Sequence, residues 1–220
     1  MSPQSLPQPA SSDVQSAYQS IVLRRVHQLL KLGYGRLDSS AYRSAQEQVI
    51  SGDLADAIDG LLDETSSPSW MDFFSVHSEA PVTAPRRKGK RRRRVDIRID
   101  SALRRPRTRF PFESKRLCEG HSVATYLGEY GLGRFLQGDY ARSEDTAGML
   151  GFVQSREPAE WAQDIGRTLV ESPGHYLVVE QRNWRHASVV DGLEHTYCST
   201  HRRHSINRPI DIYHTLLDFS

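Results

Sequence analysis

Three residues in the middle of the chain are of types that support phosphate-ester chemistry: Asp96 in "RRVDIRID", and Glu113 and Lys115 in "RFPFESKRL". Glu113 and Lys115 stand two positions apart in an alternating aromatic stretch, so on a strand they share a face. Asp96 lies on the polar side of an earlier alternating stretch, opposite Val95, Ile97 and Ile99. Two adjacent strands would bring both carboxylates and the ammonium to one spot. Carboxylates so placed repel each other unless a cation separates them. Mg²⁺, or Mn²⁺, favours such oxygen donors and retains waters. An ion of that kind acidifies a bound water and neutralises charge developing on a phosphate. A lysine beside it orients or helps deprotonate that water, or stabilises the transition state. By itself Glu-x-Lys reads better as a surface ion pair worth under about 1 kcal/mol, since such tripeptides abound on charged surfaces. Asp100 has the parity of Asp96 and is its rival, but it lies at the strand's end.

The elements that must position these residues follow from periodicity. Residues 1–12 form a Pro/Ser/Gln tail without the basic start and apolar middle of a signal peptide. A helical segment over 13–66 contains one helix capped by Ser12 or Asp13, with Ile21, Val22, Val26, Leu29 and Leu30 at helical spacing, ending at Gly33 or Gly35. A second helix carries Val49, Leu54, Ile58, Leu61 and Leu62, broken near Ser51–Gly52. Residues 67–94 read as a connector with one short aromatic strand and a basic run. From residue 95 the period changes to two, and the rest, 95–220, predicts one core. Its strands are "VDIRI", "RFPFESKRL", "AGMLGFVQ", "HYLVVEQ", "HTYCSTHRRH" and "IDIYHTLLDF". Helices fall within "GHSVATYLGEYGLGRFLQGDYAR" and "EPAEWAQDIGRTLVES", with Pro158 in a first turn. The expected class is α/β, a mixed central sheet flanked by helices, with a helical N-terminal segment.

Charge is distributed unevenly. Between Arg86 and Arg109 there are 13 Lys/Arg against two acids, although the whole chain carries only +2. Such a block attracts a polyanion and releases counterions on binding. Arg91, Arg92, Arg93 and Arg94 lead directly into the first alternating strand and are candidate backbone contacts. Arg134, and the row Tyr197, Ser199, His201 and Arg203 on one strand face, extend the candidate nucleic-acid surface, with His201 and Arg203 as its contacts. No apolar run is long enough to cross a membrane. Two cysteines are too few for a disulfide framework, which points to a reducing cytoplasm.

Asp96 followed seventeen positions later by Glu113-Ser114-Lys115 resembles the D-x(n)-(D/E)-x-K signature of the restriction-endonuclease-like PD-(D/E)xK nuclease superfamily. The wider pattern "FESKRL…YLGEYGLGRFLQGDYA…AGMLGFVQ…YCSTHRR…IDIYHTLLDF" is similar to a group of bacterial nuclease-fold proteins, some associated with phage defence. It spans Val95 to Phe219. The resemblance implies that Asp96 and Glu113 bind Mg²⁺ and that Lys115 is a catalytic lysine. The implied activity is hydrolysis of nucleic acid, DNA above RNA, by a homodimer or as a subunit of a defence complex. A chain that keeps the fold and binds nucleic acid without cutting is the alternative. The sequence departs from the pattern in having Val95 where many relatives have proline. Relatives often add a glutamate from an early helix, for which Glu47 and Glu64 both qualify. Gln137-Gly138-Asp139-Tyr140 falls one residue short of the Q-x-x-x-Y of recombination-type nucleases.

Cys118-x-x-His121 and Cys198-x-x-His201, with His204 beyond, invite a zinc reading. On a strand, however, residues three apart point to opposite faces, so Cys198 and His201 should not converge. Trp70, Trp161 and Trp184 read as packing residues.

Overall fold

The computed structural model describes residues 12–82, 93–103, 107–180 and 182–220, with only the backbone of 12–15. In chain order the elements are α1 (Ser12–Tyr34), α2 (Glu47–Leu62), β1 (Phe74–Pro81), β2 (Arg94–Ser101), β3 (Thr108–Leu117), α3 (Val123–Leu127), α4 (Gly133–Leu136), β4 (Thr146–Val153), α5 (Pro158–Glu171), β5 (Arg185–His186), β6 (Thr196–Arg203) and β7 (Ile206–Asp218). One mixed sheet of seven strands runs in the order β1-β2-β3-β4-β7-β6-β5. Its centre, β3-β4-β7, is parallel, and antiparallel strands extend both sides. The α/β class with a helical N-terminus is therefore the architecture observed.

Alternation divides the core between the two faces of the sheet. Phe110, Phe112, Leu150, Phe152 and Leu217 pack with Val22, Val26, Leu29 and Leu30 of α1 and Ile50, Leu54 and Ile58 of α2. Leu117, Ala147, Met149, Val153, Ile210 and Ile212 pack with Tyr126, Phe135, Trp161, Ile165 and Leu169 from α3, α4 and α5. Parallel central strands covered on both faces need near-continuous apolar sequence, and β4 ("TAGMLGFV") supplies it. Gly148 sits opposite Phe112 in the β3–β4 register. A Cβ there would lie 2.2 Å from the Phe112 ring, so only glycine admits the aromatic.

Several elements differ from the reading of the sequence. Helices α1 and α2 pack on one face of the sheet, and the short strand expected within 67–94 is β1, eight residues long and one of the two edge strands. Ile21 and Val49 are exposed rather than buried. Helix α2 runs through Ser51–Gly52 unbroken, and a short 3-10 turn at Ser39–Tyr42 precedes it. The helix expected over 120–142 splits into α3 and α4. A Cβ at Gly131 would lie 2.1 Å from the Tyr126 carbonyl oxygen, a close approach that turns the chain between them. "HYLVVEQ" is not a strand: Leu177 has φ +52, and Val178 makes one isolated bridge to His201. The expected α1 cap at Ser12 or Asp13 lies outside the described side chains. No described helix is long and apolar enough to cross a membrane.

Candidate active site

Asp96 sits where the sheet's regular pairing fails on both sides. Toward β3, paired residues run from Ser101–Thr108 to Ile97–Phe112 and stop. Toward β1, the ladder skips the Glu79–Asp96 position, and Glu79 has φ +50, a left-handed backbone unfavourable for a residue with a Cβ. Past this break Val95 leaves the Ile97/Ile99 face and joins the opposite cluster with Ala80. A broken ladder leaves main-chain groups needing partners. Side chains of the candidate site supply them. The Ser114 N–H donates to Asp96 Oδ2 at 2.6 Å, and the Ser114 carbonyl accepts from Lys115 Nζ at 2.6 Å.

Lys115 is held on two further sides. Its Nζ donates to Glu113 Oε1 and to Glu47 Oε1, both at 2.9 Å. Glu47 is the first residue of α2, where the helix dipole favours a carboxylate. Its Oε2 accepts from the Arg116 N–H at 3.3 Å, fastening the start of α2 to β3. Glu64 instead pairs with Arg36 at 2.5 Å, so the two N-terminal glutamates are now separated. A signal for this is present in the sequence. Glu47 leads the stripe Ile50, Leu54, Ile58, which is buried against the sheet, whereas Glu64 lies beyond the end of that helix.

The electrostatics are those of a site short of positive charge. Asp96, Glu113 and Glu47 share one ammonium. Burial is the main cause that raises Glu113 to about 8, with the Asp96 carboxylate adding to the rise. Burial likewise raises Asp96 to about 6, against the Ser114 N–H and Lys115, which lower it. Burial opposes the charge on Lys115, but Glu113 and Glu47 carry its pKa above the ordinary value. Glu113 Oε2 is buried and finds no hydrogen-bond partner among the described residues. Among the described residues no three His, Cys, Asp or Glu side chains gather into a ready metal cluster. The donor set fits a hard divalent ion that takes one or two carboxylates and keeps its waters: two clustered carboxylates with raised pKa values, one presenting an unsatisfied oxygen. Tyr140 borders the same space. Its hydroxyl donates to the Arg94 carbonyl at 2.6 Å, and its pKa is raised by burial and by Glu113 and Asp96.

Compared with models of known protein families, with curated protein sequences and with solved structures, the chain shows no significant match. Its own geometry is therefore the basis for a functional reading.

That geometry redistributes the other candidates. Asp100 is engaged by Arg98 in two hydrogen bonds of 2.8 and 3.1 Å, four residues (about 13 Å) along β2 from Asp96. Arg91 and Arg92 lie outside the described residues. Arg93 is paired with Asp139, and Arg134 lies 3.5 Å from the same carboxylate and over the Tyr130 ring. Arg94 remains about half exposed, 3.7 Å from Glu79. The row on β6 is not a phosphate-facing edge, because Ala141, Glu144, Tyr176 and Trp184 cover that face. His201 is fully buried, with its ring nitrogens 2.7 Å from Ser199 Oγ and from the Tyr176 carbonyl; burial lowers its pKa to about 4. The Arg203 side chain has no exposed surface and donates to the carbonyls of Ala141, Glu144 and Arg208. Tyr197 stacks on Trp184. A strand's period of two cannot reveal which face other segments will cover, which is why this row looked open.

The zinc pattern does not assemble. Cys198 Sγ accepts from Arg185 at 3.1 Å while His201 faces Ser199, and His121 lies 2.7 Å from the Arg116 guanidinium.

Proposed function

We propose that this chain is a metal-dependent nuclease of the restriction-endonuclease-like type, hydrolysing phosphodiester bonds of nucleic acid, with DNA the favoured substrate and bacterial anti-phage defence a fitting context. One observation carries the reading: half-buried Asp96 and buried Glu113 meet at the break between β2 and β3, with Lys115 fixed between Glu113 and Glu47. The sheet with helices on both faces, and the position of Glu47 on an early helix, also support it.

Asp96 and Glu113 would hold Mg²⁺ or Mn²⁺, which supplies a water of lowered pKa and charge neutralisation at the phosphate. The protein's own groups do the rest. Ser114 N–H fixes the Asp96 carboxylate, and Glu47 fixes the direction of the Lys115 ammonium. On releasing one of its three protein acceptors, that ammonium would orient the attacking water and stabilise negative charge gathering on the phosphoryl oxygens. Burial of the cluster keeps the dielectric low, so each of these interactions is stronger than in water.

The test is a nicking assay on plasmid DNA with Mg²⁺ and with EDTA, for the native chain, Lys115→Ala and Asp96→Ala. Cleavage that needs Mg²⁺ and falls by at least about 10²-fold in both variants is expected. Undiminished cleavage by the variants would remove these residues from the reaction. Salt-sensitive binding with no cleavage of DNA or RNA would leave a binding protein.

A further inference from the structure

Beside the carboxylate cluster, on the same side of β2 and β3, lies a groove of about 250 Å³. Arg98, Arg109 and Arg142 line it over a floor of Pro81, Val82 and Pro111. Arg98 follows Asp96 by two residues on β2, and Pro111 and Arg109 precede Glu113 by two and four on β3. Arg109 and Pro111 share the face of Glu113 on β3, and Arg98 is paired with Pro111, so the groove continues from Glu113 along that face at about 7 to 13 Å. The far wall is the segment 139–144, and this segment joins the two sites: Tyr140 borders the carboxylates while its neighbours line the groove.

That wall is built rather than loose. Ala141 has φ +48, a conformation held only where surroundings enforce it. The enforcing group is Arg203, whose buried guanidinium donates to the Ala141 carbonyl at 2.7 Å and the Glu144 carbonyl at 3.1 Å. Tyr140 ties the same segment to β2 through the Arg94 carbonyl. Two acids line the groove: Asp139 is already paired with Arg93, and the Glu144 carboxylate accepts from the Ser143 N–H at 3.1 Å. Among the three arginines, Arg98 is committed to Asp100, whereas Arg109 and Arg142 are exposed and make no hydrogen bond or ion pair among the described residues. Two unpaired guanidinium groups facing one cleft, with their planar forks free, suit a phosphate oxyanion.

We infer that this groove binds backbone phosphates of a nucleic-acid strand beyond the one presented to Asp96 and Glu113, with Arg109 and Arg142 as its contacts and Arg203 as the residue that positions its wall. Strand phosphates recur at about 3.4 Å of helix axis, so the 7–13 Å offset corresponds to a few nucleotides. The inference rests on the proposed nuclease reading for its alignment of strand and site, but binding can be measured without cleavage.

The experiment is fluorescence anisotropy of a labelled DNA oligonucleotide, single-stranded and duplex, in EDTA over a salt series. The full-length chain is compared with Arg109→Ala/Arg142→Ala and with the double charge reversal to Glu. Both side chains are exposed and unpartnered, so unchanged thermal unfolding should accompany the substitutions. The alanine pair should weaken duplex binding about 10-fold or more at low salt and reduce the slope of log K against log salt by about 2, with the reversal weaker still. Unchanged affinity and slope in both variants would overturn the groove, whether or not the protein cuts. So would native protein that binds no DNA, or displacement of the DNA by inorganic phosphate at equal concentration. Groove-dependent binding by a native chain that cuts nothing in Mg²⁺ would support the groove and refute the carboxylate site.

Discussion

Glu113→Gln should stabilise the metal-free protein at alkaline pH while removing its response to Mg²⁺. The Glu113 carboxyl moves from an ordinary 4.5 to about 8 on folding. The folded state thus holds this proton more tightly than the unfolded chain. The stabilisation is complete below about 4.5 and is lost as pH rises through about 8. Each unit corresponds to about 1.4 kcal/mol, so the full span has a ceiling of about 5 kcal/mol. The part falling between about pH 6 and pH 9 is some 2–3 kcal/mol. Asp96, raised from 3.8 to about 6, adds a loss of the same sign that is nearly complete by pH 7. Buried His27, His201 and His214, whose pKa values burial lowers, give the opposite slope below about 6.5 in both proteins and cancel in the difference. Glutamine keeps the shape and the acceptor for Lys115 but cannot ionise. Urea unfolding in EDTA at pH 6 and at pH 9 should therefore show the native chain losing about 2–3 kcal/mol more than the variant, a difference of roughly 5–10 °C in melting temperature. Saturating Mg²⁺ at pH 9 should restore the native chain, by about 2.7 kcal/mol at a hundredfold excess over Kd, and leave the variant unchanged. Parallel pH curves for the two proteins would refute the reasoning, because Glu113 would then carry no buried charge.

Gly148→Ala should destabilise by about 1–3 kcal/mol in urea unfolding, since its Cβ meets the Phe112 ring at 2.2 Å. Arg203→Ala strips the buried partner from the carbonyls of Ala141, Glu144 and Arg208, and should cost about 3 kcal/mol or more in the same measurement. Glu47→Gln weakens the grip on Lys115 without emptying the space. It should lower kcat in the nicking assay about 10-fold or more while thermal unfolding shifts little, and an unaltered kcat would remove Glu47 from the site.

Periodicity alone marks the central strands, α1, α5 and the pairing of Glu113 with Lys115 on one face. Those features depend on local alternation and on residues within a turn of each other. It also marks Asp96 as a polar residue on an alternating strand, although Val95 beside it joins the opposite cluster from Ile97 and Ile99. Only the tertiary structure decided what depends on contacts between distant segments. The helical stripe already set Glu47 ahead of Glu64, but its contact with Lys115 of β3, 68 residues away in the chain, belongs to the tertiary structure. The burial of His201 and Arg203 turned on which face of β6 is covered, and a strand's alternation is the same whichever side is wet. The split into α3 and α4 is by contrast local: Gly131 turns the chain against the Tyr126 carbonyl five residues earlier, and its glycines are visible in the sequence. The break at Asp96 belongs again to the tertiary structure. A ladder fails where three strands cease to agree in register, and no one of those strands carries that information alone.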